Sequence, residues 1–309
     1  YSNHPKLHEQ LQAAGFVCDL QYEWSREKVM QELPNYIGVV IRSRFKLDKE
    51  ILDKGTNLKF IARAGAGMEN IDVAYAESKG IKCLHAPEGN RDAVGEHALG
   101  MLLMLLNKLK KADWEVRQGV WLREENRGHE IQGKTVGIIG YGNMGSAFAK
   151  RLKGFDCRVI AYDKYKKGYS DEYVKEASME ELWEEADITS LHLPLSNETY
   201  HLANTEFFKK FKKNIWFINT ARGKNVNTDD LVEQIKSGKV TGACLDVLEY
   251  ESLSFEALDA SKLPEPFQYL IKSDKVILTP HIAGWTFESH EKIAEVLVRK
   301  IKASFAPNP

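Results

Sequence analysis

Thr135-Val-Gly-Ile-Ile-Gly-Tyr-Gly-Asn-Met-Gly145 is an apolar run that passes straight into Gly140, Gly142 and Gly145, spaced G-x-G-x-x-G. The residues after it carry Phe148 and Leu152 at helical spacing. An isolated glycine pattern of this kind also occurs in ordinary turns. Here a strand precedes it and a helix follows, which is the setting of a dinucleotide-binding turn. One glycine permits the tight turn, one lets the backbone approach a pyrophosphate, and one lets the helix pack closely on the strand. The helix start around Asn143 and Met144 then offers unpaired N–H groups and a positive dipole end to the phosphates. Asp163 stands 18 residues beyond Gly145, at the end of the next apolar run. A carboxylate there accepts the ribose 2′-hydroxyl and repels a 2′-phosphate, so NAD is expected rather than NADP. Lys164 and Lys167 follow at once and are cations of the kind that tolerate a 2′-phosphate.

Working outward, short apolar runs alternate with amphipathic segments on both sides of the turn. Ile37–Ile41 and Leu58–Ala62 form a first series. Thr135–Ile139, Arg158–Tyr162, Ile188–Leu193, Ile215–Asn219, Gly242–Val247 and Val276–Leu278 form a second. Strands alternating with helices predict α/β architecture with parallel, doubly wound sheets. Ser178-Met-Glu-Glu181 reads as a capping box, and Gly238 is expected to close the helix Asp230–Ser237 in the left-handed conformation. Ala93–Lys111 is apolar nearly all round at its centre, which predicts burial on every side, between domains or subunits, or else an ordinary core helix. His290–Phe305 is amphipathic and helical. Ser252–Lys272 has weak periodicity and reads as an insertion on a strand-ending loop. A further strand of the first series is expected upstream of Tyr1.

The chain has 309 residues, two domains' worth at about 150 residues each. Lys plus Arg number 43 and Asp plus Glu 44, so the basic excess of a nucleic-acid binder is missing. The apolar stretch Ala98–Leu106 falls well short of the roughly 20 residues that span a bilayer. Neither nucleic acid nor membrane is an expected partner. Cys18, Cys83, Cys157 and Cys244 are far apart with no Cys-x-x-Cys, as for reduced thiols, and no metal site is expected. With no signal peptide at the start, these features predict a cytoplasmic protein.

Three polar residues follow strands of the second series. Arg222 follows Ile215–Ala221, Glu251 follows Gly242–Tyr250, and His281 follows Val276–Pro280. Ligands of open parallel sheets bind beyond the carboxyl ends of the strands, so all three are expected at one crevice. Singly, each is as well explained as a solvated loop residue; their joint placement beside a cofactor motif is what favours chemistry.

With these motifs in view, the chain resembles the D-isomer-specific 2-hydroxyacid dehydrogenases. The resemblance rests on Gly140–Gly145, Asn219-Thr-Ala-Arg-Gly223, Leu245-Asp-Val-Leu-Glu249 with Glu251, and Thr279-Pro-His-Ile-Ala-Gly284. In the first half it rests on Arg63-Ala-Gly-Ala-Gly67, Pro87-Glu-Gly-Asn90 and Glu96-His97, so it covers nearly the whole chain. It implies a Rossmann NAD-binding domain, 97–285, inserted into a flavodoxin-like substrate domain, 1–96 and 286–309. It implies His281 as general acid/base, Glu251 as the partner of its imidazole, and Arg222 as the clamp on the substrate carboxylate. Backbone N–H groups of Ala64, Gly65, Ala66 and Gly67, with Asn90, are implied substrate contacts. Implied cofactor contacts are Gly140, Gly142, Asn143, Met144, Gly145, Asp163, Leu193, Pro194, Thr220, Ala221, Asp246 and Gly284. Trp121-Leu-Arg123 is similar to a segment that reaches across a homodimer in this family.

Two departures stand out. Ser252 replaces the family's usual Pro after the catalytic Glu, and the Ser252–Lys272 segment is longer than the pattern, which leaves Glu249 and Glu256 as substitutes for Glu251. For the substrate, Arg42-Ser43 resembles the phosphate-contacting position of 3-phosphoglycerate dehydrogenases, and Arg42 with Arg44 would make a cationic cleft suited to a doubly anionic acid. Alternatively these are solvated strand-end cations, and the resemblance then implies a glyoxylate or hydroxypyruvate reductase. Family relatives that act as NAD-sensing corepressors are a different class. The intact Arg222, Glu251 and His281 set argues for turnover, and Glu251 where formate dehydrogenases have Gln argues against that subfamily.

Overall fold

A computed structural model describes residues 2–251 and 264–305. The chain forms two compact units, Tyr1–Arg91 with Trp285–Pro309, and Asp92–Gly284.

The first unit is built on three parallel strands, β1 (Gly38–Ile41), β2 (Phe60–Arg63) and β3 (Lys82–His85), in the order β1-β2-β3. Side chains alternate across a strand, and here the alternation feeds two cores. Phe60 and Ala62 pack with Leu7, Leu84, Ile293 and Leu297, which come partly from helices Pro5–Ala13 and Phe287–Phe305. Ile61, between them, packs on the other face with Leu33, Ile51, Leu52 and Ala76. The sheet is therefore covered on both faces, as parallel sheets require. In this unit β3 is the strand the sequence reading passes over, because Lys82 and His85 at its ends leave only a two-residue apolar run.

The second unit holds a seven-stranded parallel sheet. Its strands are β4 (Thr135–Ile139), β5 (Arg158–Tyr162), β6 (Lys175–Glu176), β7 (Ile188–Leu191), β8 (Ile215–Asn219), β9 (Val240–Leu245) and β10 (Val276–Leu278). The order β10-β9-β8-β7-β4-β5-β6 reverses direction of growth at β4, so the topological switch point lies between β4 and β7. Phe217 and Ala243 face one core and Ile218 and Cys244 the other. The capping box at Ser178 and Glu181 is present, and Gly238 adopts φ +83°. The helix it follows begins earlier than read, at Thr228, because Asn227 caps it through the N–H of Asp230.

Two readings change. The apolar helix spans Pro87–Leu106 and stops short of Lys111, since Lys108 takes a left-handed conformation and a new helix starts at Leu109. It is also not buried all round: Ala98, Met101, Leu102, Leu105 and Leu106 enter the second unit's core, whereas Met104 is exposed. The C-terminal part of the presumed loop Ser252–Lys272 is a helix, Glu265–Lys272, that buries Phe267 and Leu270. Residues 252–263 of that segment, with Glu256, lie outside the described residues. Among the described residues no helix is long and apolar enough to cross a membrane.

Candidate active site

Register fixes the first half of the site. Ile139 is level with Tyr162 of β5 and with Leu191 of β7, so the loops after all three strands leave the sheet in one row. Gly140 follows with φ +93°, and a Cβ there would overlap the carbonyl of His192. Only glycine fits this combination of left-handed backbone and close approach. Gly142, the N-cap of helix Asn143–Arg151, differs: nothing lies within reach of a Cβ there. That open space before the N–H groups of Asn143, Met144 and their neighbours fits a pyrophosphate. Leu193 closes on Gly140, and the Pro194 carbonyl accepts a hydrogen bond from Thr199 Oγ1 at 2.6 Å.

Asp163 leaves β5 and accepts three backbone hydrogen bonds, from Tyr141 at 2.8 Å and from Tyr165 and Lys166 at 2.9 Å each. Burial would push its carboxyl up, but these three N–H donors hold it below the usual carboxylate range. It is thus a permanent anion at the end of β5, as a partner for ribose hydroxyls should be. His192 is no rival for proton transfer: burial pushes it down to about 3, and its ring stays neutral against Ser190 Oγ at 2.9 Å.

The second half of the site comes from three neighbouring strands. Asn219 of β8 is level with Leu245 of β9, which is level with Leu278 of β10. Arg222, the segment Asp246–Glu251 and His281 therefore leave one edge of the sheet side by side. The turn carrying Arg222 is shaped by Asn219, whose Oδ1 accepts from Ala221 N–H at 3.0 Å and whose Nδ2 donates to the Arg222 carbonyl at 2.9 Å. Arg222 itself donates to the Ala221 carbonyl at 2.6 Å. A Cβ on Gly223 would overlap the Leu248 carbonyl, so glycine lets this turn press against the segment that carries Glu251.

His281 Nδ1 lies 2.6 Å from Glu251 Oε2. A carboxylate only accepts, so Nδ1 carries the proton of this bond. The other carboxylate oxygen of Glu251 accepts from the Leu248 N–H. His281 has φ +55°, uncommon for a residue with a Cβ, and the strain is held by Asp246. The Asp246 carbonyl accepts the His281 N–H at 2.7 Å. Its buried carboxylate accepts from Thr279 Oγ1 at 2.6 Å and from Ile282 and Ala283 N–H, both at 2.9 Å. His97 Nε2 lies 3.0 Å from the same Thr279 hydroxyl. Both oxygens of Asp246 thus bond to the His281 loop. Thr220, implied beside it as a cofactor contact, has a buried Oγ1 that meets no partner among the described residues. The positioning roles of Asn219, Thr279 and Asp246 escape a sequence reading, though an Asn directly before a Thr-Ala-Arg-Gly turn is a signal for side-chain bonding to the backbone.

In the first unit, the Gly65 N–H is turned back onto the Arg63 carbonyl at 2.8 Å, and the Ala64 N–H pairs with Ile41. Of the four small residues, only Ala66 and Gly67 keep an N–H that meets no acceptor among the described residues. The buried Asn90 Oδ1 is likewise without a partner among them. Arg42 is engaged in a different way. Its guanidinium donates to the Ser2 carbonyl at 3.1 Å and to His290 Nε2 at 3.2 Å, and stacks 4.5 Å from the Trp285 ring. No carboxylate pairs with it among the described residues, and burial pulls its pKa down. His290 is pushed down by burial and by Arg42, which keeps it a neutral acceptor.

A glycine turn at the switch point, an acid ending the next strand and an Arg, Glu and His set on the same sheet edge define a Rossmann-type dehydrogenase. Residues 99–283 match the family model for the NAD binding domain of D-isomer specific 2-hydroxyacid dehydrogenases. The chain belongs to that family, whose members are NAD-dependent oxidoreductases acting on CH–OH groups. It is 37% identical to a hydroxypyruvate reductase of Thermotoga maritima over 89% of this chain and 87% of that one. It is 36% identical to a D-3-phosphoglycerate dehydrogenase of Archaeoglobus fulgidus over 93% of this chain, but spans only 53% of that relative's length. Among solved structures it resembles the D-lactate dehydrogenase of Aquifex aeolicus, complexed with NAD and lactic acid, with a TM-score of 0.81, 32% identity and coverage of 97% and 91%.

Proposed function

We propose that the protein interconverts a 2-oxo acid and the corresponding D-2-hydroxy acid, and that its substrate is the 3-phosphohydroxypyruvate/3-phosphoglycerate pair. The observation that carries the reaction is the Glu251–His281 pair at 2.6 Å, on the same sheet edge as Arg222. Bound NADH supplies the hydride to C2. Arg222 holds the substrate carboxylate through charge-assisted hydrogen bonds and draws electron density from the carbonyl. His281, with Nδ1 fixed on Glu251, protonates the carbonyl oxygen through Nε2. Glu251 then stabilises the imidazolium that exists before transfer. On the first unit, the substrate contacts carried over from the resemblance are the N–H groups of Ala66 and Gly67 and the side chain of Asn90. The Gly140–Gly145 turn, Asp163, Leu193, Pro194, Thr220, Ala221, Asp246 and Gly284 would hold the cofactor.

Arg42 supports the phosphorylated substrate. A half-buried guanidinium whose contacts are a carbonyl, a neutral imidazole and an indole is short of negative charge, and a phosphate balances it. The match to a hydroxypyruvate reductase over nearly its full length favours the second reading, an unphosphorylated acid. The test is NADH oxidation with phosphohydroxypyruvate, hydroxypyruvate and glyoxylate, beside Arg42→Ala. Preference for the phosphorylated acid, with a KM raised about 10- to 100-fold in the variant, fits loss of one charged pair. Preference for hydroxypyruvate with Arg42→Ala silent would sink the phosphate assignment.

We also infer a homodimer and a cytoplasmic setting. Leu109, Trp114, Val116, Trp121 and Leu122 are all exposed, Trp114 and Trp121 at 63% and 75%, and apolar surface on this scale marks an interaction face. Sedimentation velocity should give a dimer that Trp121→Glu converts to monomer; a wild-type monomer at micromolar concentration would refute it.

A further inference from the structure

Three lysines, Lys164, Lys166 and Lys167, follow Asp163. A cation beside the ribose 2′-position is what accommodates a 2′-phosphate. Each of the three has another engagement. Lys166 Nζ donates to the Tyr141 carbonyl at 3.4 Å and lies 5.1 Å from the Tyr141 ring centre. Lys167 donates to the Asp163 carbonyl at 3.3 Å and sits 3.8 Å from Glu176. Lys164 is 2.7 Å from Glu198 Oε2, and the same oxygen accepts from the Tyr165 hydroxyl at 3.0 Å.

Glu198 is the partner that comes from farthest across the sheet. It follows β7, whereas Lys164 and Tyr165 follow β5, and β4 lies between those two strands. The register row Leu191, Ile139, Tyr162 means that the Glu198 contact reaches over the carboxyl end of β4, where the glycine turn begins. Lys164 and Glu198 are more than half exposed, at 54% and 57%. An ion pair so exposed contributes little to folding. Its two contacts to consecutive residues are arranged instead around the acid that reads the ribose.

We propose that Glu198 is a specificity-determining residue that disfavours NADP by neutralising Lys164, the lysine adjacent to Asp163. A 2′-phosphate then meets Asp163 without the charge of Lys164 to offset it. A ribose hydroxyl, being neutral, is indifferent to the loss of that charge.

The test compares binding of 5′-AMP and 2′,5′-ADP to the apoprotein by calorimetry at low ionic strength, with kcat/KM for NADH and NADPH as a second readout. Glu198→Gln keeps the shape and removes the charge. The expected result is a shift of the affinity ratio toward 2′,5′-ADP of about five- to tenfold, shrinking as salt is raised. Adding Lys164→Ala to Glu198→Gln should cancel most of that shift, because the released lysine is its cause. An unchanged ratio in Glu198→Gln overturns the proposal, and so does a shift that survives in the double variant.

Discussion

The second unit contains two histidine–glutamate pairs that are nearly superimposable in description. His281 meets Glu251 at 2.6 Å, and His201 meets Glu249 at 2.6 Å. Both histidines have left-handed backbones, φ +55° and +49°, and both pairs are about equally buried. The difference lies in what surrounds them. The second oxygen of Glu249 accepts from both the N–H and the hydroxyl of Thr228, at 3.0 and 2.7 Å, so it ties the start of helix Thr228–Lys236. The His201 N–H donates to the Lys224 carbonyl at 2.8 Å, and the Tyr200 ring stacks on the imidazole at 4.1 Å. That pair is a clasp between loops. His281 instead leaves β10 in register with the strands carrying Glu251 and Arg222, on a backbone held by Asp246. An acid–imidazole pair therefore does not by itself mark catalysis, and the proposed role of His281 rests on its mounting on the sheet beside Arg222.

The largest expected effect breaks the symmetry of the two pairs. His281→Ala should lower kcat by about 10³-fold, within the range for loss of a general acid. His201→Ala should lower kcat by no more than about threefold at 25 °C, since stacking and hydrogen bonding are lost away from the reacting atoms. Steady-state kinetics on both variants, with circular dichroism to verify folding, decides it. Equal losses in two folded variants would mean that the pairs act as one unit, and the assignment of roles would fail.

The same contrast explains what was legible in the sequence. Strands β4, β8 and β10 are read to the residue, because buried parallel strands are continuous apolar runs bounded by turn residues. Strand β3, with Lys82 and His85 at its ends, and the two-residue β6 carry no such signal. The family motifs point to Arg222, Glu251 and His281, and they leave Glu249 as a competitor two residues from Glu251. In the structure Glu249 is taken up by Thr228, 21 residues away in sequence, and by His201, whereas Glu251 pairs with His281. Asp246 illustrates the same limit. Its place in Leu-Asp-Val suggests a ligand contact but not that its carboxylate bonds to Thr279, Ile282 and Ala283, which become its neighbours only when β9 and β10 pair.

The smallest effect on activity, and the sharpest on stability, is expected at Glu249. Glu249→Ala strands the Thr228 N–H and hydroxyl together with the His201 ring, and it removes an acceptor from the first turn of a helix. Loss of such an acceptor costs about 1–2 kcal/mol, and a stranded polar group adds to it. For a unit of this size a total of about 2 kcal/mol lowers Tm by about 4–8 °C, at 2–4 °C per kcal/mol. Turnover at 25 °C should stay within about threefold of wild type, because Glu251 still holds His281. Thermal unfolding and kcat measured on the same preparation separate the roles. A variant that keeps its Tm but loses turnover would make Glu249, not Glu251, the acid that serves the reaction.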